Sequence, residues 1–150
     1  MNNFKNIIQQ LPYAEPFLFV DKIESVNEEE IWGSYRFPKD SYFYKGHFKD
    51  FPVTPGVILT ECAAQIGVVC LGIFLKSEHE HDLEKEKLQI ALTSTAMDFF
   101  LPVFPGENVR VHAKKMYFRF NKLKCEVKMY NEQKKLICKG EIAGMINVKT

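Results

Sequence analysis

The sequence lacks an excess of charge of either sign and has no block of basic residues. Its 20 lysines and arginines are balanced by 19 acidic residues, which leaves a formal net charge of +1. It also has no aromatic motif of the kind that stacks on RNA bases. Because nucleic-acid binding depends on clustered positive charge that faces the phosphates, this composition argues against a nucleic-acid partner.

Closely spaced cysteine pairs are also absent, since no two of the four cysteines form a C-x-x-C motif. The cysteines are Cys62, Cys70, Cys125 and Cys138. Three of them lie within apolar stretches, so we expect buried free thiols and a reducing compartment. The opening segment MNNFKNIIQQLPY is too short and too polar for a secretion signal. These features predict a cytoplasmic location.

No internal repeat, low-complexity stretch or linker divides the 150 residues. Hydrophobic residues make up 46% of the chain, and 13 of the residues are phenylalanine. A chain of this length can bury enough apolar surface for one stable core. We therefore predict a single domain over residues 1–150, with a strongly apolar interior or an apolar ligand.

The longest apolar run, VILTECAAQIGVVCLGIFL, has almost the length of a membrane span. However, it carries Glu61 and Gln65 near its middle and follows a Pro/Gly turn. Its apolar residues surround the whole helix, which is typical of an element covered by protein on every side. We therefore predict a buried helix from about Pro55 to Leu75 and no membrane insertion.

Strand patterns flank this helix on both sides. The segment PFLFVDKIESVNEEEIWGSYRF alternates apolar and polar residues around a polar break, which predicts two antiparallel strands. Four later segments also read as strands: LQIALTSTAMDFF, NVRVHAKKMYFRF, KLKCEVKMYN and KLICKGEIAGMINV. Between them and the helix, KSEHEHDLEKEK predicts a charged connection. One long helix and about six strands predict an α+β domain in which a curved antiparallel sheet wraps the helix.

The start of the helix carries the first candidate chemistry. Thr54 suits the N-cap, and Pro55 suits the first helical position. The next free N–H groups would be those of Gly56 and Val57. Since Gly56 has no Cβ, a carbonyl oxygen can approach its N–H closely, which would form an oxyanion site. The alternative is an ordinary helix start after a Pro/Gly turn.

Three further residues are candidates for acid–base chemistry. Burial beside apolar neighbours would raise the pKa of Glu61 and favour its neutral, proton-donating form. Gln65 lies one turn later, where it could orient the carboxyl group. His47 lies in the loop YKGHF just before the helix, where a neutral imidazole would serve as a general base. The alternatives are a buried acid satisfied by its partners and a structural loop histidine.

The other histidines do not indicate a metal site. His79 and His81 lie between acids in EHEH, but no further ligands stand at useful spacing, so a solvated charged loop explains them better. His112 lies in a predicted strand, and we interpret it as structural.

Three segments of the chain, LPYAEPFLFVD, GHFKDFPVTPGVILTECAAQ and DFFLPVFPGE, form a recognisable set of landmarks. Together they resemble the β-hydroxyacyl-acyl-carrier-protein dehydratases of the FabZ type. The resemblance extends from Leu11 to about Gly144, and its middle segment is the most specific part. It implies the hot-dog fold, in which an antiparallel sheet wraps a long helix.

The resemblance assigns catalysis to His47 and Glu61, which have the family's separation of fourteen residues. A glutamate at the acid position is similar to the plain dehydratases, whereas the related dehydratase-isomerases carry aspartate there. Gly56 corresponds to the donor to the thioester carbonyl, and Val53 to the residue whose carbonyl oxygen holds the histidine. The predicted substrate-binding residues are Val53, Gly56, Val57 and Gln65. No metal or other cofactor is implied.

The implied reaction is dehydration of a (3R)-hydroxyacyl thioester to a trans-2-enoyl thioester, in fatty-acid or related polyene or aryl-polyene biosynthesis. The acyl chain would be carried on the phosphopantetheine arm of an acyl carrier protein. In the family, the histidine and the acid of one site come from different subunits, which implies a homodimer or a trimer of dimers. Two alternatives stay open: a hot-dog acyl thioesterase, in which Glu61 would activate water, and a non-catalytic acyl-binding subunit.

The chain departs from the family pattern at four positions. Tyr13 and Ala14 replace histidine and arginine in the first landmark, and Phe100 and Leu101 replace basic residues before PV. These departures concern carrier docking and chain length, and the extra aromatics favour an aryl or otherwise unusual acyl chain. The candidate docking charges for an acidic carrier are Lys114, Lys115, Arg119, Lys122 and Lys124. A solvated strand face is the alternative.

Overall fold

Six antiparallel strands form one sheet in the computed structural model, which describes residues 4–79 and 87–149. The strands are β1 (Lys22–Val26), β2 (Glu30–Arg36), β3 (Lys87–Phe99), β4 (Asn108–Arg119), β5 (Lys122–Tyr130) and β6 (Leu136–Lys149). Their order across the sheet is β1-β2-β4-β5-β6-β3. The predicted strands are therefore confirmed, and β3 to β6 begin and end within one residue of the predicted segments.

Alternation along the strands decides which face of the sheet covers the core. In β5, the buried, inward-facing residues are Leu123, Cys125, Val127 and Met129. In β2, Gly33 faces the central helix so closely that a Cβ there would lie 2.7 Å from a side-chain carbon of Ile66. Because successive side chains point to opposite faces, the neighbouring Trp32 lies on the outer face of the sheet.

The first predicted strand starts too early, since it was expected near Pro16 and β1 begins at Lys22. The preceding backbone is bound to a side chain of the helix instead of a strand. The N–H of Phe19 donates to Oε1 of Gln65 at 2.8 Å, and Nε2 of Gln65 donates to the carbonyl oxygen of Phe17 at 3.0 Å. These hydrogen bonds occupy the N–H of Phe19 and the carbonyl oxygen of Phe17, which a β-strand would need for pairing with a neighbouring strand.

The central helix consists of α2 (Gly56–Ala63), a π-helical segment (Ala64–Cys70) and α3 (Leu71–His79). The predicted buried helix is confirmed, but it continues past Leu75, so the predicted charged connection cannot begin at Lys76. The Lys76 side chain is buried, and its Nζ donates to Oδ1 of Asn121 at 2.9 Å. This bond ties the last turns of the helix to the sheet. Residues 80–86 of the predicted connection lie outside the described residues.

Close packing against the sheet covers the central helix. A Cβ at Gly67 would lie 2.8 Å from the Cβ of Ala113, and one at Gly72 would lie 2.8 Å from a side-chain carbon of Ile146. The stretch Gly56–Ser77 is long and apolar enough to cross a membrane, but 78% of its most apolar window is buried inside the fold. The predicted burial of this helix in protein is thus confirmed.

Two short helices complete the described chain. The first, α1 (Phe4–Gln9), places Ile7 in the core and packs against β1. The second is a 3-10 helix, Tyr42–Lys45, which immediately precedes the His47 loop. The apolar periodicity did not predict either one.

Strand β3 forms one edge of the sheet and pairs with β6 alone among the described strands. Every residue from Ala91 to Ala96 is exposed, and Leu92 is 44% exposed although it is a large apolar side chain. A long, open edge with apolar side chains favours pairing with another chain.

Candidate active site

The loop after the 3-10 helix fixes the orientation of the His47 imidazole. Its Nδ1 lies 2.8 Å from the carbonyl oxygen of Val53, and the Val53 N–H donates to the His47 carbonyl oxygen at 2.8 Å. The ring also stacks on Phe48, with 4.2 Å between centroids. Because a carbonyl oxygen can only accept, this contact assigns the proton to Nδ1 and leaves Nε2 as an acceptor.

Pro55, and not Thr54, occupies the N-cap of the central helix, so the predicted capping role of Thr54 is wrong. Thr54 is buried, and its hydroxyl hydrogen-bonds with the Tyr44 hydroxyl at 2.6 Å. That bond draws the threonine side chain away from the helix. The carbonyl oxygen of Pro55 accepts the first helical hydrogen bonds, so Gly56 is the first helical residue.

The first two helical N–H groups, those of Gly56 and Val57, have no backbone or side-chain acceptor among the described residues. A cavity of about 280 Å³ lies beside them, lined by Thr54, Gly56, Leu59, Phe99, Phe100, Leu101 and Pro102. The Val57 side chain is 77% exposed. The helix start therefore combines two N–H groups that lack an acceptor in the described chain with the positive end of the helix dipole.

Glu61 is partly buried one turn further along α2, and its neighbour Gln65 is fully buried. Burial raises the pKa of the Glu61 carboxyl group, and a weaker opposing effect comes from Nε2 of Gln65, which donates to Oε2 at 3.0 Å. The same Gln65 amide binds the backbone before β1, so its orientation is fixed from both sides. The contact that the one-turn spacing predicted is present.

The predicted residues fall into two groups along the chain. His47, Val53, Gly56 and Val57 lie in the loop and at the helix start, whereas Glu61 and Gln65 lie deeper. Glu61 is roughly 7.5 Å along the helix axis from Gly56, at about 1.5 Å per residue. No hydrogen bond or ion pair joins His47 to Glu61 within the described part of the chain.

Tyr13 is a neighbour of this site that the sequence patterns did not reveal. Burial raises the pKa of its hydroxyl group, and the charges of Glu61 and Cys70 raise it further. We expected Tyr13 to matter only as a departure from the family's first landmark. The available signal was its place in LPYAEPFLFVD, whose Phe17 and Phe19 bind Gln65.

The two departures before PV line the cavity at the helix start. Phe100 is 51% exposed and Leu101 is 36% exposed. Their N–H groups both donate to the carbonyl oxygen of Ile137, at 2.8 Å and 3.2 Å. Phe100 and Leu101 therefore place apolar side chains at the cavity beside the helix start.

His112 lies beside Trp32 on the outer face of the sheet. Nε2 of His112 lies 2.6 Å from Oε1 of Glu30, which fits the structural role expected for this histidine. His79 ends α3, and His81 lies outside the described residues. The described residues contain no group of three histidine, cysteine or acidic side chains that could hold a metal ion. All four cysteines are buried and free, as predicted.

The chain is similar to known proteins in both sequence and structure. The profile of the FabA-like domain family matches residues 11–150. A 3-hydroxyacyl-[acyl-carrier-protein] dehydratase FabZ from Clostridium perfringens is 32% identical over 146 residues, which cover 95% of this chain and 96% of that protein.

Two solved structures share the fold. The dehydratase heterocomplex ApeI:P from Xenorhabdus doucetiae superposes with a TM-score of 0.76 at 12% identity, over 93% of this chain and 90% of that one. A hypothetical thioesterase from Streptococcus pneumoniae gives 0.61 at 12% identity, over 85% of each chain. Since both activities occur on this fold, the fold does not decide between them. The sequence relatives do: the chain, with the predicted hot-dog fold, belongs to the FabA-like family and to its FabZ-type 3-hydroxyacyl-[acyl-carrier-protein] dehydratases.

Proposed function

We propose that the chain catalyses the reversible dehydration of (3R)-hydroxyacyl thioesters on an acyl carrier protein to trans-2-enoyl thioesters, in fatty-acid or related biosynthesis. One observation carries the proposal: along the chain, a helix start whose first two N–H groups have no acceptor among the described residues lies between an imidazole held at Nδ1 by a carbonyl oxygen and a carboxyl group whose pKa is raised by burial. Elimination of water needs a base for one carbon and an acid for the hydroxyl on the next. The 32% identical relative carries the same activity in its name.

His47 is the general base in this proposal. The Val53 carbonyl oxygen accepts from Nδ1, which leaves Nε2 as the basic nitrogen of the neutral ring. Nε2 removes the proton from C2 of the acyl chain. The N–H of Gly56 donates to the thioester carbonyl oxygen, which carries the charge that develops as the proton leaves. Val57 N–H lies beside it as a second donor.

Glu61 is the general acid. Because burial raises its pKa, the carboxyl group keeps its proton to higher pH than an exposed glutamate does, and it can protonate the departing 3-hydroxyl group. Gln65 directs this group by donating to Oε2, which leaves the other oxygen free to carry the proton. The proposed steps involve only these protein groups.

The complete site is proposed to form between two chains. Within one chain His47 and Glu61 are not bonded to each other, and the open edge of β3 provides a surface for a second copy. Pairing of two such edges would extend the sheet and cover exposed side chains such as Leu92 and Phe99. A homodimer, or a trimer of such dimers, would then bring the base of one chain to the acid of the other.

An acyl carrier protein is the proposed macromolecular partner, because the thioester substrate reaches the site on its phosphopantetheine arm. Of the five predicted docking charges, Lys115 lies 3.9 Å from Glu29 and Lys124 lies 3.2 Å from Glu141. These contacts favour a solvated strand face for the two lysines. The four buried free thiols support the proposed cytoplasmic location.

The test measures hydration of a trans-2-enoyl thioester and, in parallel, release of free thiol. We expect His47→Gln and Glu61→Gln each to lower hydration by about 10²–10⁴-fold, the usual contribution of an acid or base. The matched controls are His112→Gln and Glu126→Gln on the sheet, which should keep full activity. Hydration at the parental rate in either site variant contradicts the proposal, and thiol release without hydration would establish a thioesterase.

Mixing the two inactive variants tests the shared site. If each site takes its base and acid from different chains, a mixed dimer of His47→Gln and Glu61→Gln chains keeps one intact site. Random mixing should then restore about a quarter of the parental activity, since about half of the dimers are mixed and each has one working site of two. If both groups of a site come from one chain, mixing restores nothing.

A further inference from the structure

A second cavity, of about 380 Å³, lies on the outer face of the sheet. It is lined by Trp32, Asn108, Arg110, Tyr130, Asn131, Glu132 and Lys134. Trp32 points away from the central helix, because its neighbour Gly33 packs against the helix residue Ile66. The sheet therefore separates this cavity from Glu61 and from the helix start, and the proposed dehydration does not use it.

Aromatic rings form the walls of this outer cavity. The rings of Trp32 and Tyr130 are 6.0 Å apart and inclined by 27°, and the indole also lies 4.5 Å from the His112 imidazole. The Arg110 guanidinium lies 4.4 Å from the centre of the indole and is held by Glu24 at 2.6 Å. These contacts hold the wall in place before any ligand arrives, as is usual in small-molecule sites. A planar aromatic group is the shape that gains most from stacking on such a wall.

Hydrogen-bond donors line the rim of the cavity at the turn between β5 and β6. Oδ1 of Asn131 accepts from the N–H groups of Gln133 and Lys135, which leaves the Nδ2 group of Asn131 free to donate. Lys134 has no ion pair among the described residues, whereas the charge of Arg110 is already met by Glu24. Lys134 is therefore the cation that a ligand in the cavity can use.

We propose that the outer cavity binds a planar aromatic carboxylate. The ring stacks against Trp32 and Tyr130, and the carboxylate accepts hydrogen bonds from Nζ of Lys134 and Nδ2 of Asn131. Charge-assisted bonds of this kind are the stronger class of hydrogen bond. Glu132 is the carboxylate among the lining residues, and its negative charge repels an anion at the same rim. Removing this charge should therefore strengthen binding of the carboxylate, whereas removing the charge of Lys134 should weaken it.

The test uses the single tryptophan of the chain as its reporter, because Trp32 is part of the cavity wall. The probe is 4-hydroxybenzoate, and the uncharged comparison is 4-hydroxybenzamide. We expect the acid to quench the tryptophan emission saturably and to bind roughly three- to tenfold more tightly than the amide. The expected ratio is modest because a charge contact that is partly exposed to water contributes little free energy.

Three neutralising substitutions separate this site from general charge effects. Lys134→Gln should weaken binding of the acid by roughly three- to tenfold, and Glu132→Gln should strengthen it by roughly two- to fivefold. The control is Lys128→Gln, which removes a cation on the same face of the sheet that does not line the cavity and should leave the affinity unchanged. The amide should bind all four proteins equally.

Several results would overturn the proposal. Absence of saturable quenching by the acid at concentrations on the order of 10 mM would show that the cavity does not bind this class. Equal affinity for acid and amide would remove the role of charge. A loss in Lys128→Gln as large as that in Lys134→Gln would show that the anion responds to the overall charge of the sheet face and not to this cavity.

Discussion

Replacing Gln65 with methionine tests the contact that links the N-terminal segment to the acid. The substitution keeps an unbranched side chain but removes three hydrogen bonds. The N–H of Phe19, which is 2% exposed, loses its acceptor, and a buried unsatisfied donor costs about 1–3 kcal/mol. Phe17 is 40% exposed, so its carbonyl oxygen can turn to water, and that loss is about 0.5–1.5 kcal/mol.

The expected loss in the free energy of unfolding of Gln65→Met from these two backbone contacts is therefore about 1.5–4.5 kcal/mol. Because small domains are stable by only about 5–15 kcal/mol, this loss is readily measured by urea unfolding followed through Trp32 fluorescence. The control is Ile66→Met, at the next, fully buried position, where a swap of similar volume usually costs less than about 1.5 kcal/mol. If Gln65→Met loses no more stability than Ile66→Met, the reasoning from unsatisfied backbone groups is refuted.

The same variant also affects the acid. Donation from Gln65 lowers the pKa of Glu61, so its removal should raise that pKa further. If neutral Glu61 is the proton donor in dehydration, the limb of the dehydration pH–rate profile that reports Glu61 should move to higher pH in Gln65→Met. An unmoved limb would show that Gln65 supports the fold without acting on the carboxyl group.

Three further predictions concern Glu61, a strand glycine and the cysteines. Burial raises the pKa of Glu61 in the folded state, so the stability that its neutral carboxyl group contributes is complete at low pH and is lost as the pH rises through the folded-state pKa. Glu61→Gln, whose side chain stays neutral, should therefore have a higher melting temperature than the parent at about pH 8 but not at about pH 4. Gly140→Ala should cost at least about 2 kcal/mol in urea unfolding, since its Cβ would meet the carbonyl oxygen of Ala96, whereas Gly46→Ala, with open space around it, should stay within about 0.5 kcal/mol. All four thiols should react with a disulfide reagent only after unfolding, and fast labelling of the native chain would contradict their burial.

The strands were predictable because their signal is local. Alternation in β4 to β6 depends only on which neighbouring residues are apolar, so the predicted and observed limits differ by one residue at most. The candidate site was predictable to the extent that it lies on one continuous segment. Gly56, Glu61 and Gln65 follow one another on a helix, and regular helical spacing places Gln65 beside Glu61.

The features that were missed depend on partners distant in the sequence. Thr54 was expected to cap the helix, but the Tyr44 hydroxyl engages its side chain. The charged stretch was expected to begin at Lys76, but this lysine is buried within α3, where its Nζ donates to Oδ1 of Asn121. The sequence pattern also does not reveal the π-helical segment. In a helix that is apolar on every side, there is no apolar stripe whose position would shift when the number of residues per turn changes.

Two hydrogen-bonded residues of the central helix limit how the chain can change its length. Gln65 is anchored to the backbone before β1, and Lys76 is anchored to the turn between β4 and β5. One residue more or fewer in the α-helical part of this span, from Leu71 onward, would turn one anchor relative to the other by about 100° around the axis, so both sets of bonds could not be kept. In a library of single-codon insertions and deletions selected for folded protein, this stretch should be the most depleted part of the helix.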